Sequence, residues 1–505
     1  MKRTRLELEE IQGLILSGYG ERPVARYALF EIVDTALAKA WLRALLPELQ
    51  FSEYRRSRRN QPPFLKPVCV NIAFTHAGLE ALGVPASTLS GFSLPFQEGM
   101  HEPNRARRLG DDAESSPENW RWGGPGQQLH GVLALFAGTE DADPEEWKQI
   151  GDFIDRHCVV GNGIRAIEVL DTMPANRLLR KEHFGFRDGI ANPRLSGIAR
   201  EGQDDVIASG EFVLGYENEY GKYPMSPEVS GTSRAAELLP KASVRDGFRD
   251  FGRNGSYLVF RQLSQDVKGL WRYLDSAKSN VPEAPPGLAG AEWLGAKMVG
   301  RWRNGTALTR YPDAPGPQRD EDDNAFAYGE HDDAFGARCP IGSHIRRTNP
   351  RDTALPIPHD PELSGTPEVE SVRNARLVLS NKHRLMRRGR AYGEPLDPDY
   401  EPEAMLHADD SGERGLHFLC FNANLSRQFE FVQSNWAQNP TFAGLSRDPD
   451  PLTSCQRRFP FPAATFTLQG CPPRRVHGVP RVVELRGGAY FFMPSRSTLS
   501  YLSQL

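Results

Sequence analysis

The stretch CPIGSHIRRTNPRD, Cys339 to Asp352, sets one histidine, His344, ahead of a basic and polar run. Pro340 and Pro350 punctuate it, so the piece is short and fixed in direction. A neutral imidazole near its centre can ligate a transition metal or haem iron. Arg346, Arg347 and Arg351 carry guanidinium forks that match the two carboxylates of a haem. Side chains alternate in direction, so not all three can face one pocket. Standing alone, a histidine among arginines is more often a solvated side chain than a ligand. The stretch gains weight only beside two others.

In HFGFRDGIANP, His183 to Pro193, Gly185 and Gly189 bracket Asp188. Glycines let the backbone approach a ligand closely or take a positive φ. A carboxylate held between them can sit over the face of a flat cofactor. An Asp-Gly pair by itself marks a turn more often than a site. In LMRRGRAYG, Leu385 to Gly393, Arg387 and Arg388 precede Gly389. Clustered arginines are usually exposed. One guanidinium turned into a pocket would instead stabilise developing negative charge.

The elements that must position these residues follow from apolar periodicity. Strands are predicted at 26–32, 67–74, 131–136 and 164–170, and helices at 34–48, 76–82 and 144–157. On the 34–48 helix, Leu37, Trp41, Leu45 and Leu46 fall on one face. The order β-α-β, β-α-β is that of a split βαβ, ferredoxin-like unit. The second half repeats it with larger insertions: strands at 256–261, 416–422, 482–485 and 489–493, helices at 267–277, 292–303 and 425–436. The fold class is therefore α+β: duplicated ferredoxin-like units, with antiparallel sheets packed together and helices around them. The expected halves are 1–205, carrying the GFRDG segment, and 206–505, carrying the pocket. Stretches 100–127, 279–288, 311–334 and 352–372 are rich in Pro, Gly and charge, and read as surface loops.

Composition narrows the function classes. The 505 residues carry a net charge of −4 with both signs interleaved, which argues against nucleic acid or an anionic membrane as partner. No apolar run has the length of a membrane span. The start, MKRTRLELEEIQGLIL, lacks the apolar core of an export signal. The six cysteines are scattered without a CxxC pair, as in a reduced cytoplasmic protein.

Taken together, the three stretches resemble the dye-decolourising peroxidase family of haem enzymes. GFRDG matches its glycine-x-x-Asp-glycine motif, CPIGSHIRRTNPR its proximal-histidine segment and LMRRGRAYG the segment bearing its distal arginine. IQGLILSGYG, VNIAFTHAGLEALGV, EWLGAKMVGRWRNG, RQFEFVQSNWAQNP and LRGGAYFFMPS extend the likeness over most of the chain. The chain resembles the longer members, with an insertion at about 352–382. The resemblance implies a peroxidase holding one haem b per chain, with His344 as iron ligand. Asp188 becomes the distal acid–base and Arg387 the distal arginine, with Arg388 the second choice. Arg346, Arg351 and Gly189 join the cofactor-binding set. Leu416 and Phe418, two apart on a strand and so on one face, match apolar residues lining the distal side.

The implied reaction oxidises dyes, phenols or other one-electron donors with hydrogen peroxide. One side chain must take a proton from one peroxide oxygen and return it to the other; that falls to Asp188. Reference values of about 4 for Asp and 6.5 for His mean an aspartate keeps this role at acidic pH. Bulky donors cannot pass Leu416 and Phe418, so surface Trp or Tyr residues would relay electrons. A non-catalytic haem-binding or haem-handling protein is the alternative; it would not need both Asp188 and Arg387. A cytoplasmic monomer or homodimer is expected.

Overall fold

The first strand, β1 (Val24–Ile32), is buried along nearly its whole length. That pattern suits a strand with neighbours on both edges and cover on both faces. In the computed structural model its neighbours are β3 (Gly131–Ala137) and β4 (Ile164–Asp171), and β2 (Val68–Phe74) lies beyond β3. The second set is β5 (Ser256–Gln265), β6 (Met386–Arg387), β7 (Arg390–Tyr392), β8 (Gly415–Asn422) and β9 (Val483–Met493). The structure describes residues 5–53, 65–138, 144–174, 180–199, 203, 205–317, 324–329, 333–353, 367–454 and 464–505.

All pairings among these nine strands are antiparallel, in the order β6-β8-β5-β9-β2-β3-β1-β4, with β7 also on β8. The first set reads 4-1-3-2. The second has the same order reversed, β6 and β7 together serving as its second strand. This is the duplicated α+β architecture, of ferredoxin-like units, expected from element order. The sets join through one residue pair, Phe74 of β2 and Phe492 of β9.

The sheet curls on itself. Tyr27 of β1 meets the rings of Phe260 of β5 and His417 of β8 at 5.0 and 5.5 Å, although neither strand neighbours β1. Side chains alternate across each strand: Tyr27, Phe136, Phe260 and Phe491 fill the inside. Phe30, Phe74, Val259 and Phe492 face outward, in one cluster with residues of helices α1 (Thr35–Leu45) and α2 (Pro144–His157). On α1 the buried residues are Ala38, Trp41, Leu42 and Leu45; Leu37, expected inside, is 45% exposed. Helices α3 (Val267–Ala277) and α4 (Leu288–Val299) cover the second set through Trp271, Leu274 and Leu294.

Two other expectations change. The 100–127 stretch is no surface loop: it contains the helix Pro103–Leu109, and Asp111, Trp120 and Trp122 are buried. Its charged residues are spent on partners inside, such as the Asp111–Arg261 ion pair. The expected helix at 425–436 is replaced by one α-turn, Phe429–Phe431, running into a π-helical turn, Val432–Ala437.

Candidate active site

A cavity of about 290 Å³ opens beside β5 and β8, lined from both sides of position 205 by residues including Asp188, His344, Arg351, Arg387, Leu416 and Phe418. Each arrives by a different route.

His344 opens a five-residue helix, His344–Thr348. Ser343, just before it, donates from Oγ to the Lys297 and Pro340 carbonyls at 2.7 Å each, which fixes where the helix starts. The imidazole Nδ1 lies 2.9 Å from Oδ2 of Asp450, whose side chain is fully buried. The other oxygen, Oδ1, accepts from the N–H groups of Leu452 and Thr453. A carboxylate only accepts, so Nδ1 carries the proton and Nε2 keeps its lone pair for the cavity. Burial alone would push the imidazole down, but the Asp450 charge and hydrogen bond outweigh it and hold His344 above its ordinary value. Burial would push Asp450 up; His344 and Arg347 hold it below the usual carboxylate range.

Asp188 leaves a tight turn. The Glu182 carboxylate accepts from the N–H groups of Phe184 and Phe186 and from Nε2 of Gln265, closing the loop. Burial pushes Glu182 up to about 7 against those hydrogen bonds. The Asp188 N–H donates to Arg180, and Oδ1 accepts from the Gly189 N–H at 2.6 Å. Arg387 Nη1 donates to the same Oδ1 at 3.1 Å. The Asn192 side chain accepts the Arg387 N–H at 3.0 Å, tying β6 to the aspartate segment. The charges of Arg387 and Asp188 both reach the His344 ring.

The paired arginines are resolved by strand alternation. Arg387 faces the cavity, while Arg388 turns away and donates to the Leu14 and Ile15 carbonyls. Leu416 and Phe418 share the cavity face of β8, and His417 between them points the other way, onto the Asp171 carbonyl.

Two expectations for the cofactor set need correction. Arg346 is not on the cavity wall. It is 1% exposed, donates to Asp333 and to the carbonyls of Asp333, Ala334 and Cys339, and lies over Tyr328. The short helix turns it into the core, where every donor must be matched. Gly189 is not on the wall either; its φ of +79° serves the turn at Asp188. Arg351 reaches the wall, but its terminal nitrogens already serve Asn324 and the Phe326 carbonyl.

Several wall residues carried no sequence signal. Asp450 lies in SRDPDPLT, which reads as a turn, and is 106 residues from its histidine. Asp111 and Arg261 pair across the cavity edge, and Oδ2 of the one and Nη1 of the other are buried without a partner among the described residues. Glu182 and Asn192 flank or lie within the quoted aspartate stretch, and only their closeness to it hinted at a role.

The residues fit a haem. One wall offers an imidazole with its tautomer locked. Apolar groups such as Phe186, Val299, Ile345, Leu385 and Val432 suit a porphyrin face. The unsatisfied Arg261 nitrogen suits a carboxylate.

Comparison with known proteins agrees. The model of the DyP dimeric alpha+beta barrel domain matches residues 10–172. The chain is 28% identical over 510 residues to dye-decolorizing peroxidase msp1 of Mycetinis scorodonius, covering 98% of this chain and 87% of that one. It is 29% identical over 521 residues to dye-decolorizing peroxidase AauDyP1 of Auricularia auricula-judae, with the same coverage. A solved decolorizing peroxidase from the latter organism superposes with a TM-score of 0.74 at 27% identity, over 99% of this chain and 100% of that one. Over nearly its whole length the chain is similar to dye-decolourising peroxidases, and its first third carries their barrel domain. It is a haem-dependent peroxidase, using hydrogen peroxide and a reducing substrate.

Proposed function

We propose that the cavity takes one haem b per chain, ligated by Nε2 of His344, and that Asp188 and Arg387 act on peroxide there. One observation carries the reading: an Asp450-locked imidazole and a carboxylate–guanidinium pair, from segments far apart in sequence, face the same cavity. Haem iron supplies the redox chemistry, taking oxidising equivalents from peroxide and passing them to a donor.

The chain's own residues handle protons and charge. Asp188 takes the proton from one peroxide oxygen and returns it to the other, so the departing oxygen leaves as water. Arg387 offers its guanidinium to the negative charge that develops on that oxygen. Leu416 and Phe418 keep water away from the reacting atoms. Asp450 keeps the proton on Nδ1 and makes the imidazole a stronger donor.

Dyes, phenols or similar one-electron donors are the proposed reductants. A solved protein of this fold carries 2,6-dimethoxyphenol. A cytoplasmic location, as monomer or homodimer, is consistent with the five free cysteines among the described residues. Among those residues no helix is long and apolar enough to cross a membrane.

The test is the absorption spectrum of protein expressed with added haem, before and after peroxide, with His344→Ala beside it. A Soret band that shifts within seconds of peroxide addition, and is lost or displaced in His344→Ala, is expected. No Soret band, or one indifferent to peroxide, overturns the proposal.

A further inference from the structure

Asp450 and His344 are brought together by backbone that neither residue controls. Asp450 lies on the loop after the π-helical turn Val432–Ala437, and its N–H donates to the Ala437 carbonyl at 2.8 Å. The last carbonyls of any helical segment have no donor within it. Here Asp450 takes one and Arg347 takes its neighbour, the Trp436 carbonyl, at 2.6 Å. π-turns of this kind recur at functional sites.

Arg347 is three residues beyond His344 on the same short helix and is fully buried. Its hydrogen bonds go to carbonyls: Gly342 through Nε at 3.2 Å, Trp436 and Asn439 through Nη1 at 2.6 and 3.0 Å, and Asp448 through Nη2. The Phe442 ring lies 5.1 Å from the guanidinium carbon. A buried guanidinium with carbonyl acceptors alone is costly. Burial pulls it down to about 10, which leaves it charged at neutral pH. Three of its four carbonyl acceptors lie on both arms of the loop that delivers Asp450: 436 and 439 on the way out, 448 on the way back.

We infer that Arg347 is a positioning residue for the His344–Asp450 pair. It pins the 436–448 loop to the helix bearing His344, so that Asp450 meets Nδ1, and thereby sets how much electron density the imidazole gives the iron. The inference rests on the proposed haem ligation by His344.

The experiment uses haem-loaded protein: wild type, Asp450→Asn, Arg347→Met and Arg347→Lys. Resonance Raman gives the ferrous iron–imidazole stretch, and a redox titration gives the potential. Asp450→Asn lowers the stretch and raises the potential, because the imidazole loses its charged acceptor. Arg347→Met shifts both the same way, although residue 347 never touches the ring. Lysine keeps the charge but cannot reach four carbonyls from one nitrogen, so Arg347→Lys is expected to shift both as well. It also serves if the methionine variant does not fold.

Two results overturn the inference. An Arg347 variant that loses only thermal stability, with stretch and potential unmoved, makes Arg347 structural. A potential that falls in Arg347→Met and is restored in Arg347→Lys makes it a charge rather than a clamp. Failure of the haem assignment looks different: His344→Ala then leaves the wild-type iron–imidazole stretch in place.

Discussion

Asp188 and Arg387 form an ion pair that water reaches, with side chains 44% and 34% exposed. Such pairs add little stability, so this one is placed for the cavity rather than for the fold. Asp188→Asn should leave the unfolding free energy from urea titration within about 1 kcal/mol of wild type. It should also keep the Soret band and slow the reaction with peroxide roughly 10²- to 10⁴-fold, the usual loss with a general acid–base group. Stopped-flow mixing reads this directly, and an unchanged rate would hand the proton transfer to another group. Arg346 is the opposite case. Its pair with Asp333 is closed to solvent, the side chains being 2% and 0% exposed. Arg346→Met should cost about 3–5 kcal/mol by stranding a buried carboxylate, yet leave the haem content per folded chain unchanged. A fall in haem content with stability intact would restore Arg346 to the cofactor set.

At the scale of elements, the interrupted strand β6–β7, running antiparallel along β8, decides where Arg387 points. Gly389, at the break between them, lets this strand lie against β8: a Cβ there would stand 2.7 Å from the His417 carbonyl oxygen. Gly389→Ala should push the strand away from β8 at a cost of about 1–3 kcal/mol and slow peroxide reduction by moving Arg387. Chemical denaturation and stopped-flow mixing on one preparation check both effects, and a slower denaturation midpoint shift with full peroxide activity would separate them. This strand was invisible in sequence because MRRGRAY lacks apolar alternation and is broken at Gly389. The long strands, such as β2 and β3, were legible because burial demands apolar residues there. The π-turn was not, since the same apolar pattern in 425–436 serves an ordinary helix. Asp450 could not be read either. Its partner is chosen by a loop 106 residues downstream of His344, and nothing in local pattern marks that loop. His344, Asp188 and Arg387 stand out in short stretches dense with Gly, Pro or charge, but each stretch alone reads as a turn or an exposed cluster, and their roles came only from the resemblance of the three together.

At the scale of the molecule, acid should open the fold where β7 and β8 meet the first set of strands. Burial lowers His183 and His417 to about 4, and each meets a carbonyl through Nε2, of Tyr392 and Asp171 respectively. Nε2 therefore donates, and in both rings Nδ1 is buried without a partner among the described residues. A proton there would find no acceptor. The unfolded chain binds that proton near pH 6.5 and the folded one only near 4, so stability is full above about 6.5 and lost as pH falls towards 4. The loss should be on the order of 2 kcal/mol for each ring by pH 5. Urea midpoints measured from pH 7 to 5 check it. His417→Gln should flatten the slope, and a midpoint that is constant over that range would remove both histidines from the account.

The order in which a ribosome releases this chain gives the single Phe74–Phe492 rung a further meaning. The first ladder is complete once Asp171 emerges and lacks only that rung. The second must wait for β9, which ends at Met493 and supplies Val483 and Leu485 to the cavity wall. The nascent protein thus carries its first ladder while the chamber beside it stands open, and the prosthetic group can be enclosed only after β9 has been made.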